Sequence, residues 1–526
     1  MRVACRYEAV SDGESRERGD RLVGWLRAYG ERRVSSRLID ERRTIPPYVA
    51  LDFGNQGILG IQVEEKFGGL ALRSREVMRV LEQTAAIDLA LGTWVLVCLF
   101  PGIRPVAAFG GDALRNEVLP ALAAGRILAG YAQTEPGAGT NFAAMAATAA
   151  AREAGGWSLN GDKFWIGNSS WAGVLSAMAH EVGPGGRRRG LTALAVRVDQ
   201  PGVVLGRELL SMGMRGVVQG EVSFRDVVVP PEQLLGEREN GLEVGVDSLC
   251  WSRFAIASTC IGAMKRAAQL MVRFAARRSI ATGGLLDHPV ARANLGRTVV
   301  EIALAEELLG RVAEILDSGR GVSVDLFSIS KVVASEFLWS AADRLVQLLG
   351  ARGYDEANLA PQLLRDARVT RIFEGTSEAL VAFVGSQAMA RTSEVHSFLR
   401  EELEAAELAD ALDAAVRGMR ERSGLARPWQ CALAGWAAIW AILAAGAEDA
   451  LGRAPGPDLE RAALWARARF RDACEQAAHG APIEGILPSA AEAEQSIGAY
   501  ADSIGDVEQR LPGGREELDP LLRRDG

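Results

Sequence analysis

A glutamate near the middle of the chain has neighbours that suit a catalytic base. Glu374 follows Ile372 and Phe373, two apolar residues that would exclude water from its carboxyl group. Desolvation raises the pKa of a carboxyl group, which suits proton abstraction near neutral pH. Gly375 permits a sharp turn, and Thr376 can cap a following helix and offer a hydroxyl to a polar ligand. For an isolated stretch of this kind, the alternative is a surface glutamate in a turn between two helices.

Further motifs surround this glutamate in a fixed order. They are Leu348-Leu349-Gly350, Gly353-Tyr354, Arg365-Asp366-Ala367-Arg368 and Phe373-Glu374-Gly375-Thr376-Ser377-Glu378. In this order and spacing they resemble the C-terminal signature of the acyl-CoA dehydrogenases. The resemblance implies that Glu374 removes the α-proton of an acyl thioester while FAD takes a hydride from the β-carbon. It also places Thr376 and Glu378 at the cofactor and Gly375 at the substrate.

A glycine-rich loop is the second stretch that could carry chemistry. Glycines around a turn let the backbone approach a planar or phosphorylated ligand, although such loops are common. The loop resembles the family's Thr-Glu-Pro-Gly-Ala-Gly-Ser-Asp, which lines the flavin and touches the pantetheine of the thioester. By that match Tyr131, Gln133, Thr134, Gly139 and Thr140 contact the cofactor. Thr140 also contacts the substrate and replaces the usual Ser, and Asn141 replaces the usual Asp; the loop reads Tyr131-Ala132-Gln133-Thr134-Glu135-Pro136-Gly137-Ala138-Gly139-Thr140-Asn141.

A third stretch departs from the family pattern. Trp165-Ile166-Gly167 stands where the family has Trp-Ile-Thr or Trp-Ile-Ser. The resemblance places these three residues at the flavin, with the tryptophan packed on it. Gly167 lacks the hydroxyl that in the family bonds near flavin N5, and Ser169 is the alternative source of one. The pattern is similar to plant short-chain acyl-CoA oxidases, which pass electrons to O2.

The helical region contains residues that resemble the family's contacts across a subunit interface. Arg278 corresponds to an arginine that meets the FAD pyrophosphate of a neighbouring subunit, and a guanidinium suits phosphate as a bidentate partner. Gln347 and Gly350 correspond to the adenosine side, and Arg253 to the substrate site. The family's Phe-Gly after the arginine is replaced here by Ala281-Thr282. For both arginines the alternative is an ordinary helix-surface residue.

The elements that position these residues fall into four regions. Helical periodicity predicts an N-terminal helical domain over 1–130, and the texture of 131–240 predicts a central antiparallel β domain. Within it, Asn160-Gly161 between apolar runs predicts a β-hairpin, and strands are expected over 174–180, 191–198 and 221–229. A C-terminal four-helix bundle is expected over 241–392. An extra helical domain with a tail, over 393–526, resembles the very-long-chain acyl-CoA dehydrogenases and implies a homodimer. The predicted fold class is α+β multidomain, mostly α.

The bulk composition excludes several classes of protein. Of the 526 residues 48% are apolar and 24% charged, as in a soluble globular protein, and a net charge of −8 argues against nucleic-acid binding. The six cysteines form no C-x-x-C pair, which indicates free thiols in a reducing, cytoplasmic compartment. The four histidines are scattered, so no metal site is expected.

One apolar stretch, 431–447, raises the question of a membrane. It is mostly Ala and Gly, and its length is at the lower limit of about 17–25 residues for a spanning helix. A buried helix of a bundle is the favoured interpretation, and contact with a membrane surface is the alternative.

Together these features predict an enzyme that performs FAD-dependent α,β-dehydrogenation of an acyl thioester. The thioester is either an acyl-CoA or an acyl-carrier protein, and the electron acceptor either electron-transfer flavoprotein or O2. An acyl-CoA oxidase is the nearest alternative, and Gly167 favours it slightly. A flavin monooxygenase of the same fold would not need Glu374. A non-catalytic flavin-binding or assembly protein remains as a third alternative. Trp94 and Trp251 hint at a short or branched acyl chain.

Overall fold

The first region of the molecule is helical. The computed structural model describes residues 1–139, 141–390, 393–421, 427–479, 486–506 and 522. The first long helix begins after Ser11, whose hydroxyl accepts a hydrogen bond from the Glu14 N–H at 3.3 Å. The helices of this region are α1 (Asp12–Arg33), α2 (Ser36–Arg42), α3 (Pro47–Asn55), α4 (Ser74–Ile87), α5 (Leu89–Val97), α6 (Arg104–Phe109) and α7 (Asp112–Ala123).

A buried apolar segment joins α5 to α6. The connecting residues Cys98–Ile103 form a π-helical turn that contains Pro101. Proline has no N–H to donate, and a π-helical turn is a common place for an interruption of the α-helical hydrogen bonds. The turn is buried throughout, so it packs against the domain that follows instead of facing solvent.

The second region is a twisted sheet between the two helical parts of the chain. The strands are β2 (Leu128–Ala132), β3 (Thr148–Ala151), β4 (Trp157–Gly167), β5 (Ala172–Val182), β6 (Arg188–Arg197), β7 (Val203–Glu208), β8 (Gln219–Val229) and β9 (Leu234–Leu235). Their order in the sheet is β7-β8-β4-β3-β5-β6-β9, and β2 also pairs with β5. The three expected strands over 174–180, 191–198 and 221–229 are thus confirmed as β5, β6 and β8.

The sheet is mixed, so the expectation of a purely antiparallel domain is wrong. β2 runs parallel to the first half of β5, and β3 runs parallel to its second half. β2 and β3 lie one after the other along β5, because the loop that joins them folds back so that its start contacts its end. The Glu135 carboxylate in this loop accepts hydrogen bonds from the backbone N–H groups of Ala146 and Ala147, just before β3. The glycine-rich loop therefore projects from the sheet without reversing the chain.

The Asn160-Gly161 hairpin prediction is also wrong. Both residues lie inside the continuous strand β4. The Asn160 side chain exchanges hydrogen bonds with Asp226 on β8, each at 2.9 Å, at a shift in the β4–β8 register. Gly161 lies against Ala147, where an added Cβ would be 2.5 Å from the alanine Cβ. Asn160 and Gly161 therefore form a β-bulge within β4. The turn between β3 and β4 instead uses Gly155 and Gly156, both of which have a positive φ.

The third region is a bundle of long helices around α8. α8 is 35 residues long and packs against the other long helices of the bundle and against α4. A short β1 strand (Arg2–Val3) pairs with β12, which ties the N-terminus to the start of α10. The elements are α8 (Gly241–Ala275), β10 (Ser279–Ile280), β11 (Gly283–Gly284), α9 (Pro289–Asp317), β12 (Val322–Ser323), α10 (Val324–Leu349), α11 (Ala351–Tyr354), α12 (Leu359–Thr370) and α13 (Ser377–Ala388).

The fourth region adds helices to one side of the bundle. α16 crosses α13 through glycines: a Cβ on Gly385 would be 1.7 Å from the Cys431 carbonyl oxygen, and one on Gly435 would be 2.0 Å from that of Val381. The helices are α14 (Glu394–Ser397), α15 (Ala406–Glu421), α16 (Arg427–Arg453), α17 (Pro457–His479), α18 (Ala490–Gly498) and α19 (Ala501–Ile504). Most of the tail beyond 506 lies outside the described residues.

The apolar stretch singled out in the sequence lies in α16. By length and composition alone, two helical segments in the described chain could cross a membrane, Leu89–Phe109 and Arg427–Arg453. Their most apolar windows are 100% and 83% buried within the fold, as expected for core helices. The mostly helical α+β fold class is confirmed, and the domain boundaries at 130, 240 and 392 stay a prediction.

Candidate active site

Glu374 lies in a strained turn between α12 and α13. Its φ is 53°, in the left-handed region that side chains other than glycine rarely adopt, and Gly375 follows with a φ of 100°. The conformation costs about 1–2 kcal/mol. Thr376 then caps α13, because its hydroxyl accepts a hydrogen bond from the Ala379 N–H at 3.3 Å. The surrounding structure must supply the interactions that hold this turn.

Two buried cations supply such interactions. Arg253 on α8 donates from Nε to the Glu374 carbonyl at 3.0 Å and from a terminal nitrogen to the Ser328 hydroxyl at 3.2 Å. Lys331 on α10 donates from Nζ to the Gly375 carbonyl at 2.7 Å. Consecutive carbonyls of the turn are thereby fixed by side chains from two different helices.

The electrostatic environment adjusts the acidity of Glu374. Burial raises the pKa of its carboxyl group to about 7, and the charges of Arg253 and Lys331 act in the opposite direction. The carboxyl group therefore titrates near neutral pH, where a general base is most effective. Burial lowers the pKa of Lys331 to about 8, so this lysine also titrates in an accessible range.

The glycine-rich loop presents polar atoms that have no protein partner. The Tyr131 hydroxyl and the Gln133 Oε1 atom are buried, and neither forms a hydrogen bond within the described structure. Tyr131 lies against α8, because a Cβ on Gly245 would be 3.4 Å from its hydroxyl oxygen. Burial and the nearby charge of Glu374 both raise the pKa of Tyr131. Since buried polar groups are normally paired, these atoms indicate a polar ligand beside the loop and near Glu374.

A buried ion pair shapes this loop. Lys163 on β4 donates to the Glu135 carboxylate at 2.8 Å and to the Gln133 carbonyl at 3.0 Å. The backbone N–H of Phe164 donates to the Thr134 carbonyl at 2.8 Å. The loop is thus held against β4 on both sides of Thr134. Thr140, expected at both cofactor and substrate, lies outside the described residues, and Gly139 is exposed beside it.

The Trp165-Ile166-Gly167 segment places its three residues differently. Trp165 has a φ of 57° and is 50% exposed, so its ring is free to cover a ligand. Ile166 is in the core of the sheet. A Cβ on Gly167 would be 2.8 Å from a methyl carbon of Val97 on α5, so a larger residue there requires Val97 to shift. Ser169 is buried against Gly220 on β8 and does not occupy the space beside Gly167.

The residues matched to a neighbouring subunit's cofactor lie away from Glu374 in a single copy of the chain. Arg278 is exposed just beyond the end of α8, and that end is roughly 33 Å along the helix from Arg253 at about 1.5 Å per residue. Gln347 and Gly350 are exposed at the end of α10, where Gly350 has a φ of 59°. Glu378, in contrast, lies close after the Glu374 turn, exposed in the first turn of α13. Their roles stay predictions.

The two tryptophans that hinted at a short acyl chain are both fully buried core residues. Trp251 stacks on Phe100 with ring centroids 6.0 Å apart, and the Arg104 guanidinium lies 4.4 Å from the Trp251 ring. Arg104 in turn pairs with Asp247 at 2.6 Å. Trp251 therefore joins α8 to the π-helical turn. The acyl chain length stays open.

Sequence reasoning missed three residues of the site. Lys331, Lys163 and Val97 were not singled out, although each now contacts a residue that was. A signal was present for Lys331, because it stands alone as a charge in the apolar run Ile329-Ser330-Lys331-Val332-Val333. A lone lysine in a buried helical pattern is costly and is often functional. Among the described residues, no group of three or more His, Cys, Asp or Glu side chains could hold a metal ion.

Comparison with solved structures defines the class of fold. An acyl-CoA dehydrogenase from Bacillus anthracis, solved in complex with FAD, aligns with a TM-score of 0.73 and 21% identity over 95% of this chain and 93% of that one. A prolyl acyl carrier protein oxidase, AnaB, aligns with a TM-score of 0.66 and 22% identity over 72% of this chain and 99% of that one. The fold is that of acyl thioester dehydrogenases and oxidases.

Sequence comparison then gives the family. Models of the acyl-CoA dehydrogenase N-terminal, middle and C-terminal domains match residues 20–126, 130–227 and 239–389. The chain belongs to the acyl-CoA dehydrogenase family, whose members are oxidoreductases acting on CH–CH bonds. The mitochondrial very long-chain specific acyl-CoA dehydrogenase of Mus musculus is 30% identical over 337 residues, which is 63% of this chain. The chain spans about half the length, 51%, of that curated relative.

Proposed function

We propose that the protein catalyses FAD-dependent α,β-dehydrogenation of an acyl thioester, with Glu374 as the general base. The observation that carries this proposal is the turn itself. A glutamate in a strained conformation, with a pKa near 7, has its backbone held by two buried cations beside a loop with unpaired polar atoms. Strain and a shifted pKa together are typical of a functional residue.

The residues around the loop fit a flavin. Tyr131, Gln133 and Thr134 would hold its ring system with their hydroxyl, amide and backbone groups, and Trp165 would cover it. When bound, FAD supplies a hydride acceptor, because the protein's own side chains have no redox chemistry of that kind. FAD is also present in the similar structure from Bacillus anthracis.

The chain's own residues would perform the proton transfer. The Glu374 carboxylate takes the α-proton of the thioester, and the fixed turn keeps that carboxylate in one orientation relative to substrate and cofactor. The backbone N–H of Glu374 would donate to the thioester carbonyl and stabilise its developing negative charge. Ile372 is 47% exposed and does not shield the carboxylate as the sequence suggested, but burial of the carboxyl group still raises its pKa to about 7, which suits the transfer.

Anaerobic titration with a panel of acyl-CoA esters tests this proposal. Bleaching of the flavin absorbance in the parent protein, and its loss in Glu374→Gln, is the expected result. Glu374→Gln keeps the size and the backbone contacts of the residue but removes the base. Bleaching at an unchanged rate in this variant would contradict the assignment of the base. A parent protein that binds FAD but bleaches with no CoA ester would be retested with acyl-carrier-protein thioesters.

An oxidase that passes electrons to O2 is the second candidate. Gly167 has no side chain and therefore offers no hydroxyl, and Val97 lies in the space that a side chain there would enter. The similar fold of a prolyl acyl carrier protein oxidase lends support to both O2 and a carrier-bound thioester. Readmission of air to the reduced protein separates the candidates. Rapid reoxidation with hydrogen peroxide favours an oxidase, and slow reoxidation favours a dehydrogenase that uses electron-transfer flavoprotein.

A cytoplasmic homodimer completes the proposal. Arg278, Gln347 and Gly350 are exposed at one end of the bundle, where a second copy could contribute them to a cofactor site. The extension packs on α13 and α9 and so covers faces that would otherwise be free. Six free cysteines suit a reducing compartment. Light scattering on the FAD-loaded protein tests the assembly: twice the chain mass is expected, and four times that mass would contradict it.

A further inference from the structure

A buried lysine beside the turn is the strongest unexplained feature of the molecule. Lys331 is 0% exposed on α10, in the interior of the bundle. Its one hydrogen-bond acceptor among the described residues is the Gly375 carbonyl, at 2.7 Å. It forms no salt bridge with a described carboxylate. An ammonium group kept in such surroundings costs stability, so a role for its charge is expected.

The charges around Lys331 can be named element by element. Arg253 and Cys260 face it from α8, Glu336 from α10 and Glu374 from the turn. Burial raises the pKa of Cys260 to about 12, so this thiol carries no charge at neutral pH. Glu336 already pairs with Arg371 at 2.7 Å. The Glu374 carboxylate forms no salt bridge with a described residue, and Arg253 and Lys331 are the two cations whose charges act on it.

We infer that Lys331 is a positioning residue, whose ammonium group fixes the turn through the Gly375 carbonyl and holds a positive charge near the Glu374 carboxyl group. The inference deepens the proposed function, on which its catalytic meaning rests. Arg253 fixes the preceding carbonyl in the same way, but it is also hydrogen-bonded to Ser328. Lys331 has no such second side-chain partner among the described residues, so its hydrogen bond acts on the turn alone.

Two substitutions at Lys331 separate the effect of its positive charge from the effect of its hydrogen bond. Lys331→Gln removes the charge but keeps an N–H donor, one bond closer to the backbone, for the Gly375 carbonyl. Lys331→Met removes both the charge and the donor. Lys265→Gln is the matched control, because Lys265 lies on α8, carries a charge and pairs with Glu82 and Glu306 away from the turn. Glu374→Gln identifies the signal of the carboxyl group.

Infrared titration of the FAD-loaded proteins measures the Glu374 carboxyl group without turnover. The protonated-carboxyl band that is absent in Glu374→Gln should titrate about one pH unit higher in Lys331→Gln than in the parent, as expected when an opposite charge is removed from near a carboxyl group. Lys331→Met should shift it at least as far and also lower the melting temperature. Lys265→Gln should leave the midpoint unchanged.

The outcomes distinguish this inference from the proposed function. An unchanged midpoint in Lys331→Gln overturns the inference, whatever the activity of the protein. A shift in Lys265→Gln as large as in Lys331→Gln also overturns it, because the loss of any nearby lysine charge would then shift the midpoint. If the midpoint shifts in Lys331→Gln but the flavin of the parent protein bleaches with no thioester, the inference stands and the proposed function is contradicted.

Discussion

At the scale of single residues, the backbone of Glu374 is as informative as its side chain. A left-handed glutamate is unfavourable, and buried hydrogen bonds from Arg253 and Lys331 hold it in place. The same two cations limit how far burial can raise the pKa of the carboxyl group. Geometry and acidity of the proposed base are therefore set by one small group of residues.

The pKa of Glu374 predicts the pH dependence of flavin reduction. The base must be a carboxylate, so the anaerobic bleaching rate should rise with pH and reach half its maximum near pH 7. Below that midpoint, the logarithm of the bleaching rate should rise with a slope of about one against pH, as expected for a single ionisation. Stopped-flow absorbance between pH 5 and pH 9 measures it. A rate that is flat across this range would mean that Glu374 is not titrating in the reacting complex.

Gly167 and Val97 should be energetically coupled. A Cβ at Gly167 would overlap a Val97 methyl group at 2.8 Å, so Gly167→Ser should lower the free energy of unfolding by about 1–3 kcal/mol. In a Val97→Ala background the same substitution should cost less than 1 kcal/mol, because the methyl group is gone. Denaturant unfolding of the four proteins gives the coupling. Gly137→Ser, which meets nothing within 4 Å, is the control.

At the scale of elements, local sequence signals were reliable only where one element's own periodicity decided the outcome. The long helices and the strands β5, β6 and β8 follow from such periodicity. Asn160-Gly161 did not form its hairpin, because pairing of Asn160 with Asp226 on β8 extends the strand through that site. The mixed sheet was equally hidden, since the parallel direction of β3 depends on how Glu135 closes a loop.

The crossing of α13 and α16 gives a prediction at this scale. Gly385→Ala should destabilise the protein by about 1–3 kcal/mol, because its Cβ would meet the Cys431 carbonyl oxygen at 1.7 Å. Gly446→Ala in the same helix pair is a matched control that meets nothing within 4 Å. It should stabilise α16 by up to about 1 kcal/mol, since alanine is the better helix former. Equal melting temperatures for Gly385→Ala and Gly446→Ala would contradict the prediction and show that α13 and α16 move apart to accommodate the added methyl group.

At the scale of the whole molecule, one buried carboxyl group links three parts of the chain. Asp366 on α12 accepts a hydrogen bond from the Met214 N–H in the β region. Burial is the main cause that raises its pKa, to about 8, and the charges of Asp88 before α5 and Asp40 on α2 act in the same direction. Asp366 is therefore largely protonated at neutral pH in the folded protein.

This carboxyl group predicts a loss of stability as the pH rises from about 4 to about 8. A group whose pKa is raised in the folded state contributes stability below its unfolded pKa, near 4, and that contribution is lost as the pH rises through about 8. Asp366→Asn cannot ionise and keeps a carbonyl oxygen for Met214. The decline in unfolding free energy between pH 4 and pH 8 should thus be smaller in Asp366→Asn than in the parent. Chemical denaturation at four pH values measures the difference, and parallel curves would contradict it.

The sequence by itself determined the helical and strand character of most of the chain, the family and the candidate base, because periodicity and short motifs are properties of neighbouring residues. Only the tertiary structure decided what surrounds that base. Lys331, Arg253 and Glu374 come from α10, α8 and the turn after α12, and no sequence pattern relates the distances between them. The position of Val97 against Gly167 is likewise set by packing of a helix on a sheet. Contacts between distant segments depend on the packing of the entire fold, so they appear only once its elements are in place.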